Sequence, residues 1–191
     1  MFNGFKNWLH KLLDAPDPIN FAPVQEQFAQ SEVVLRQANA KDADAFEIIE
    51  RQIYQASPWG RVGFLNELYH RERLYLAVTV NQQTVGYAGM SFNRHQLDAH
   101  ITNIGIIPNF QGQGIGTEVI KQLLEVAQAE GVLTVSLEVK QHNPGAQRLY
   151  ERLHFELLRV RHHYYRDDGD DALEMVISLP VSGEVGWKNE N

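Results

Sequence analysis

The stretch Gln111-Gly112-Gln113-Gly114-Ile115-Gly116 most constrains what this chain can become. It follows an apolar run, His100–Ile107, that reads as a strand and stops at Pro108. It opens into a helix in which Val119, Ile120, Leu123, Leu124 and Ala127 share one face, closed by Gly131. Gly114 and Gly116 permit close backbone approach to a ligand. The free N–H groups and positive end of the helix suit a phosphate or pyrophosphate. No Lys-Ser/Thr follows the last glycine, so this is not a Walker loop. The spacing Gly112-x-Gly114-x-Gly116 lacks the two-residue gap of the dinucleotide fingerprint, and no βαβ unit precedes it. Taken alone, the loop is as compatible with a plain tight turn.

The flanking pattern is regular from Val33 onward. Val33–Leu35 reads as a short strand. Asn39-Ala40-Lys41-Asp42 has the form of a capping box, and Ala43, Phe46, Ile49 and Ile53 follow at helical spacing. After a break at Ser57-Pro58-Trp59-Gly60, a second helix is expected over Val62–His70, burying Phe64, Leu65 and Leu68. Leu74–Val80 and Thr84–Phe92 read as a hairpin, and Thr134–Val139 as a strand. Asn143-Pro144 starts a further helix with Ala146, Leu149, Tyr150 and Leu153 on its face. Strands over Phe155–His163 and Ala172–Leu179 are joined at Asp167-Asp168-Gly169-Asp170. This order predicts a mixed α/β sandwich and not a doubly wound nucleotide fold.

The ends differ from this middle. Phe2, Phe5, Leu9, Leu12 and Leu13 place apolar groups on one face of a short helix, which Pro16 and Pro18 end. That helix packs on the main domain or frays; docking to a membrane surface or partner through its Lys6- and Lys11-flanked stripe is the alternative. Residues 1–30 are thus expected to be an amphipathic helix and a linker (19–30), 31–180 the main domain and 181–191 a loose tail.

Composition excludes several functions. The 191 residues contain no cysteine, which removes disulfides, thiolate metal sites and a cysteine nucleophile. Lys and Arg number 17 against 24 Asp and Glu, a net charge of −7, so nucleic-acid binding is not expected and a basic partner is. No apolar run is long enough to cross a membrane, and the N-terminus lacks the continuous apolar stretch of an export signal, so a cytoplasmic protein is expected. His162 and His163 are adjacent, so on a strand they would face opposite ways and make a poor metal pair. No metal is expected. With Tyr164, Tyr165 and Trp59 they could instead line an acceptor surface, or simply cover the sheet.

A second constellation lies beyond the loop. Glu138 is near a strand end, Asn143 at a helix start, and Tyr150 two helical turns further on, on the same side as Asn143. A carboxylate, an amide and a phenol could then meet in one cleft, although a solvated carboxylate, a cap and a core aromatic would explain each one separately.

Gln111-x-x-Gly114-x-Gly116 behind a strand and Pro108 resembles the acyl-CoA loop of the GNAT acetyltransferases. The segments Asn103–Gly116, Leu137-Glu138-Val139, Asn143, Leu149–Phe155 and Tyr164–Met175 are, in this order, similar to the bacterial ribosomal-protein-alanine N-acetyltransferases, the RimI type. The likeness spans about residues 33–180. It implies the acyl-CoA N-acyltransferase fold, a central mixed and mostly antiparallel sheet flanked by helices, with acetyl-CoA as co-substrate. By the same resemblance, Ile104, Gly105 and Ile106 would pair with the pantetheine arm. Gly112, Gln113, Gly114, Ile115, Gly116 and Thr117 would cradle the pyrophosphate, and Asn143 would touch the cofactor. Glu138 would be the general base and Tyr150 the general acid. The acceptor would be the N-terminal α-amine of a protein, alanine of a small-subunit ribosomal protein. A lysine side chain or small amine, or a CoA-binding module without turnover, are the alternatives. His154 stands where relatives carry a glycine in a left-handed conformation. Gly112 stands where they often carry a basic residue, which predicts weaker CoA binding.

Overall fold

The computed structural model describes residues 17–28, 31–166 and 168–180. Eight strands form one sheet: β1 (Val24–Phe28), β2 (Ser31–Gln37), β3 (Arg73–Val80), β4 (Gln83–Asn93), β5 (Asp98–Ile106), β6 (Thr134–Lys140), β7 (Glu156–Arg161) and β8 (Ala172–Ser178). Four helices accompany them: α1 (Ala43–Tyr54), α2 (Gly60–Leu68), α3 (Ile115–Ala129) and α4 (Pro144–Arg152). The strand order is β1-β2-β3-β4-β5-β6-β8-β7. Every neighbouring pair is antiparallel except β5 and β6, which run parallel.

Strand alternation sends Leu74, Leu76 and Val78 of β3, Ala88 and Met90 of β4, and Val135, Leu137 and Val139 of β6 to one face, where α3 and α4 cover them. The other face of β3 and β4 carries Tyr75, Ala77 and Tyr87 against Ala43, Phe46 and Ile49 of α1 and Phe64 of α2. Phe46 stacks on Tyr87 (centroids 4.8 Å apart) and meets Phe64 edge-on at 5.4 Å. α1 packs over β4 and β5, and α2 over β3, so the first two helices cover the β3–β5 part of their face.

The parallel pairing of β5 with β6 is short. It joins Asp98–Ile101 to Thr134–Leu137 and stops. At that point β5 holds an extra residue: Met90 pairs with Ile101 and Gly89 with Asn103, leaving Thr102 as a bulge. A bulge bends and twists its strand, and here it turns β5 away from β6. Residues 102–106 and 138–140 then form the two walls of a cleft.

The capping box is present. The Asn39 side chain accepts from Lys41 N, and Asp42 Oδ2 accepts from Asn39 N at 2.8 Å. Asp42 is buried and also holds the Arg36 guanidinium through two bonds of 2.6 and 2.9 Å. Burial opposes its ionisation, but the Arg36 and Asn39 hydrogen bonds outweigh that and keep its carboxyl below the usual aspartate range. A depressed pKa contributes stability above the unfolded value of ~3.9 and loses it as the pH falls through the folded value. Asp42→Ala is therefore expected to cost about 2–3 kcal/mol at pH 7, the range for breaking a buried pair reduced for the partly exposed arginine. The deficit should shrink below pH 4, as urea titrations at both pH values would show.

Several expectations need correction. Within the expected linker, residues 24–28 form β1, paired antiparallel with β2, and Ile19 is buried in the main core. Gln37 holds this segment, donating Nε2 to Ile19 O and accepting from Phe21 N. Val24-Gln25-Glu26-Gln27-Phe28 lacks apolar alternation because its middle three residues are exposed at the sheet edge. The strand expected to reach His163 ends at Arg161. His162 and His163 lie in a turn tied to Asp171, through His162 Nδ1 (2.8 Å) and His163 N (2.9 Å). The second helix starts two residues earlier than expected, at Gly60. His154 takes the left-handed conformation, φ +66°, that its glycine-like place in the chain predicts. The expected N-terminal helix, the 181–191 tail and Asp167 lie outside the described residues.

Candidate active site

The glycine loop is built from its backbone. Gln111 donates Nε2 to Ile106 O at 2.7 Å, fixing the loop to the end of β5. Gln113 donates to Asn109 O at 2.9 Å. Gly112 and Gly114 sit at φ +72° and +90°, where side chains are strained, and Gly114 is the residue before α3. Gly112 and Gly114 are exposed, and the amides up to Gly116 and Thr117 start the 15-residue helix α3, whose buried Ile115 anchors it. These are unsatisfied helix N-terminal donors at the positive end of the helix, the arrangement that receives an anion. A Cβ on Gly116 would meet Leu149, and one on Gly114 would meet the ring of Phe28, so β1 helps wall the loop. A side chain at Gly112 would have open space, but its positive φ costs an L-residue about 1–2 kcal/mol.

On the wall beside the loop, Ile104 and Ile106 face the α3/α4 core while Gly105 faces α1. A Cβ on Gly105 would lie 2.9 Å from the Tyr87 ring and 3.0 Å from Ile53, so glycine lets β5 pack closely against α1. Beyond Ile101, β5 has no strand partner on its β6 side.

Glu138 stands on the opposite wall, one residue past the last parallel pair. Strand alternation turns it to the face away from Val139 and Leu137, the same face as His100, Ser136 and Glu174. Its side chain is 10% exposed, with Oε1 accepting from Arg161 Nη1 at 2.6 Å and Oε2 facing His100 Nε2 at 3.0 Å. Burial works against its charge. His100 and Arg161 more than compensate and hold the carboxyl below the usual glutamate range. Arg161 is in turn held by Glu174 at 3.7 Å and lies over the Tyr164 ring at 4.5 Å.

Tyr150 comes from the other face, in the core beneath α4, with Phe155 edge-on at 5.9 Å. Burial pushes its phenol well above its ordinary value, and the nearby phenols of Tyr54 and Tyr165 add to the effect. Glu138 and Tyr150 make no hydrogen bond to each other. Tyr165 links them electrostatically, since its own phenol, raised first by burial, also feels Tyr164, Glu138 and Tyr54. Asn143 is exposed and caps α4, Oδ1 accepting from Ala146 N at 3.1 Å, so its oxygen is already engaged. The three groups thus lie apart: Glu138 on the sheet face shared with His100, Tyr150 in the core on the α3/α4 face, and Asn143 exposed at the start of α4.

His100, Arg161 and Tyr54 were not singled out in the sequence. His100 had one signal, a polar residue between buried Ala99 and Ile101 on the strand leading to the loop. Trp59 stacks on Phe64 at 6.3 Å in the loop between α1 and α2. Buried Glu50 ties that loop down, accepting from Ser57 Oγ at 2.5 Å and Trp59 N at 3.3 Å. Among the described residues, no group of three His, Asp or Glu side chains is placed to hold a metal ion. No helix there is long and apolar enough to cross a membrane.

Residues 39–155 match the model of the Acetyltransferase (GNAT) family. The chain is 34% identical over 137 residues to the N-alpha-acetyltransferase RimI of Mycobacterium tuberculosis, covering 70% of this chain and 85% of that protein. It is 32% identical over 144 residues to the ribosomal protein bS18-alanine N-acetyltransferase of Escherichia coli, covering 74% and 93%. The crystal structure of the ribosomal-protein-S18-alanine N-acetyltransferase from Escherichia coli superposes with a TM-score of 0.71 at 27% identity, covering 82% of this chain and 99% of that one. Arabidopsis thaliana NAA60 in complex with acetyl-CoA shares the fold, with a TM-score of 0.67 at 20% identity, covering 77% and 98%. A splayed parallel strand pair, a glycine loop feeding α3 and a match over most of the domain agree, and the chain belongs to the GNAT acetyltransferase family.

Proposed function

We propose that this protein transfers the acetyl group of acetyl-CoA to the N-terminal α-amine of a protein, alanine of a small-subunit ribosomal protein, in the cytoplasm. The observation that carries the choice of acceptor is the clamp on Glu138. A carboxylate held by His100 and Arg161 is a weak base. It suits the amine that needs least help. An α-amine with a pKa near 8 is roughly one-tenth neutral at pH 7, against well under a thousandth for a lysine near ~10.4. The net charge of −7 complements a basic acceptor protein, and the names of the bacterial relatives support the same acceptor.

In this reading the pantetheine arm lies along the free side of Ile104-Gly105-Ile106. The pyrophosphate rests on the amides of Gly112–Thr117, and the amide nitrogen of Asn143 faces the cofactor. The acceptor ammonium gives one proton to Glu138, and its nitrogen attacks the thioester carbonyl. A backbone N–H on the splayed part of β5 holds the oxyanion. The C–S bond then breaks, and the second ammonium proton ends on the departing sulfur, toward which Tyr150 donates a hydrogen bond. The alternatives are resolved by one experiment. A peptide with a free N-terminal alanine and an internal lysine is incubated with enzyme and acetyl-CoA, and the added mass is located by fragmentation. Acetyl on the α-amine is expected. Acetyl on lysine would overturn the choice of acceptor, and no transfer across a panel of amines despite CoA binding would make the protein a binding module.

A further inference from the structure

Among the described residues the sheet ends in two edges of different character. β1 shows solvent the polar run Gln25, Glu26 and Gln27. β7 is exposed from Glu156 to Val160, with Leu157 and Leu158 at 56% and 57% exposure and Val160 at 39%. An edge strand presents a row of backbone N–H and C=O groups that a further strand can pair with.

A bulge arranges the side chains of β7. Leu157 pairs with Met175 and Arg159 with Glu174, so Leu158 is an extra residue. Three residues apart on a regular strand, Leu157 and Val160 would point to opposite faces. The extra residue sets them opposite Met175 and Leu173, both on the α3/α4 face. Glu156, Arg159 and Arg161 stand opposite Val176, Glu174 and Ala172, on the other face. The charges that could guard this edge are turned inward. Arg159 holds Glu174 of β8 through two bonds of 2.8 and 3.2 Å, and Arg161 holds Glu138 of β6 at 2.6 Å. Both guanidiniums thus reach back across the sheet to a carboxylate instead of standing along the edge as repelling cations.

We infer that β7 is the docking edge for a second copy of this chain. The two β7 strands pair antiparallel about a two-fold axis between Leu158 and Arg159. In that register Leu157 lies opposite Val160 of the partner subunit on one face. Glu156 lies opposite Arg161 of the partner subunit on the other. The strand is therefore its own complement in apolar character and in charge, as an isologous interface requires. A shift of one residue either way sets Glu156 against Val160 of the partner subunit, or Arg159 against Arg159 of the partner subunit, and the match is lost. Pairing uses up the edge on both copies, so assembly closes at the dimer. A pair of six-residue strands belongs with the small interfaces, below ~1,200 Å², so the dimer is reversible.

The test is sedimentation equilibrium of the full chain from micromolar to near-millimolar concentration. A monomer–dimer equilibrium is expected, and Leu157→Glu is expected to raise its dissociation constant at least about tenfold. The chain contains no cysteine, so Leu158→Cys supplies a single thiol beside the axis. Mild oxidation of that variant is expected to give a covalent dimer, whereas Glu26→Cys, in the middle of β1, is expected to remain monomeric. A monomer at every concentration overturns the inference. So does a dimer that Leu157→Glu leaves intact, or a covalent dimer formed as readily through residue 26 as through residue 158. Leu157 is more than half exposed, so its variant should fold. Should it melt well below wild type, the comparison of the two cysteine variants decides alone.

Discussion

Glu138→Gln is expected to lower kcat about 10²–10⁴-fold, the range for loss of a positioned general base, and to leave acetyl-CoA affinity unchanged. The two expectations separate because the residue and the glycine loop serve different faces of the cleft. Glu138 faces His100 and Arg161, whereas Gly112–Thr117 lead into α3 on the other side of the sheet. Glutamine preserves the shape, and Arg161 keeps Glu174 and the Tyr164 ring as partners, so the fold should hold. Because the Glu138 carboxyl lies below the usual range, it is ionised throughout the neutral region. The deficit should therefore be present at every pH from 6 to 8. Single-turnover rates with calorimetric binding would check both parts, and an unchanged rate would remove Glu138 from the chemistry.

Tyr150→Phe is expected to reduce kcat about 10²-fold, the lower end of the same range. The reason is the direction of its pKa. Burial, with Tyr54 and Tyr165 nearby, raises the phenol well above its ordinary value of ~10. An alkyl thiol titrates near ~8.5. A phenol so much weaker as an acid donates a hydrogen bond to the departing thiolate more readily than it surrenders a proton. Removing the hydroxyl should not cost stability, since it makes no hydrogen bond among the described residues and the ring keeps Phe155 at 5.9 Å. Melting temperature should stay within a few degrees of wild type while turnover falls. A matching loss in both would recast Tyr150 as a core aromatic.

The Arg36–Asp42 pair holds the start of α1, and its contribution disappears below the usual aspartate range.

The chain's local patterns were sufficient for most elements. Glycines at 112 and 114 announce positive φ because other residues are strained there, Asn143-Pro144 announces a helix start, and the Asn39–Asp42 spacing announces a capping box. Glu138, Tyr150 and the loop are candidates by resemblance because their order along the chain is itself a pattern. What could not be read locally is whatever depends on a partner far away in sequence. β1 carries no apolar alternation and exists as a strand because β2 offers it an edge. The bulge at Thr102 appears only when β5 is laid against β4, and it is the bulge that ends the pairing with β6 and opens the cleft. The environment of Glu138 belongs to the same class. His100 is 38 residues before it and Arg161 is 23 after it, and only the sheet sets them against its two oxygens. Short-range sterics and hydrogen bonding are written in neighbouring residues, so the sequence by itself determined most of the elements and the loop, but not β1. The protonation of Glu138 depends on desolvation and on charges brought from other strands, so that was decided by the tertiary structure.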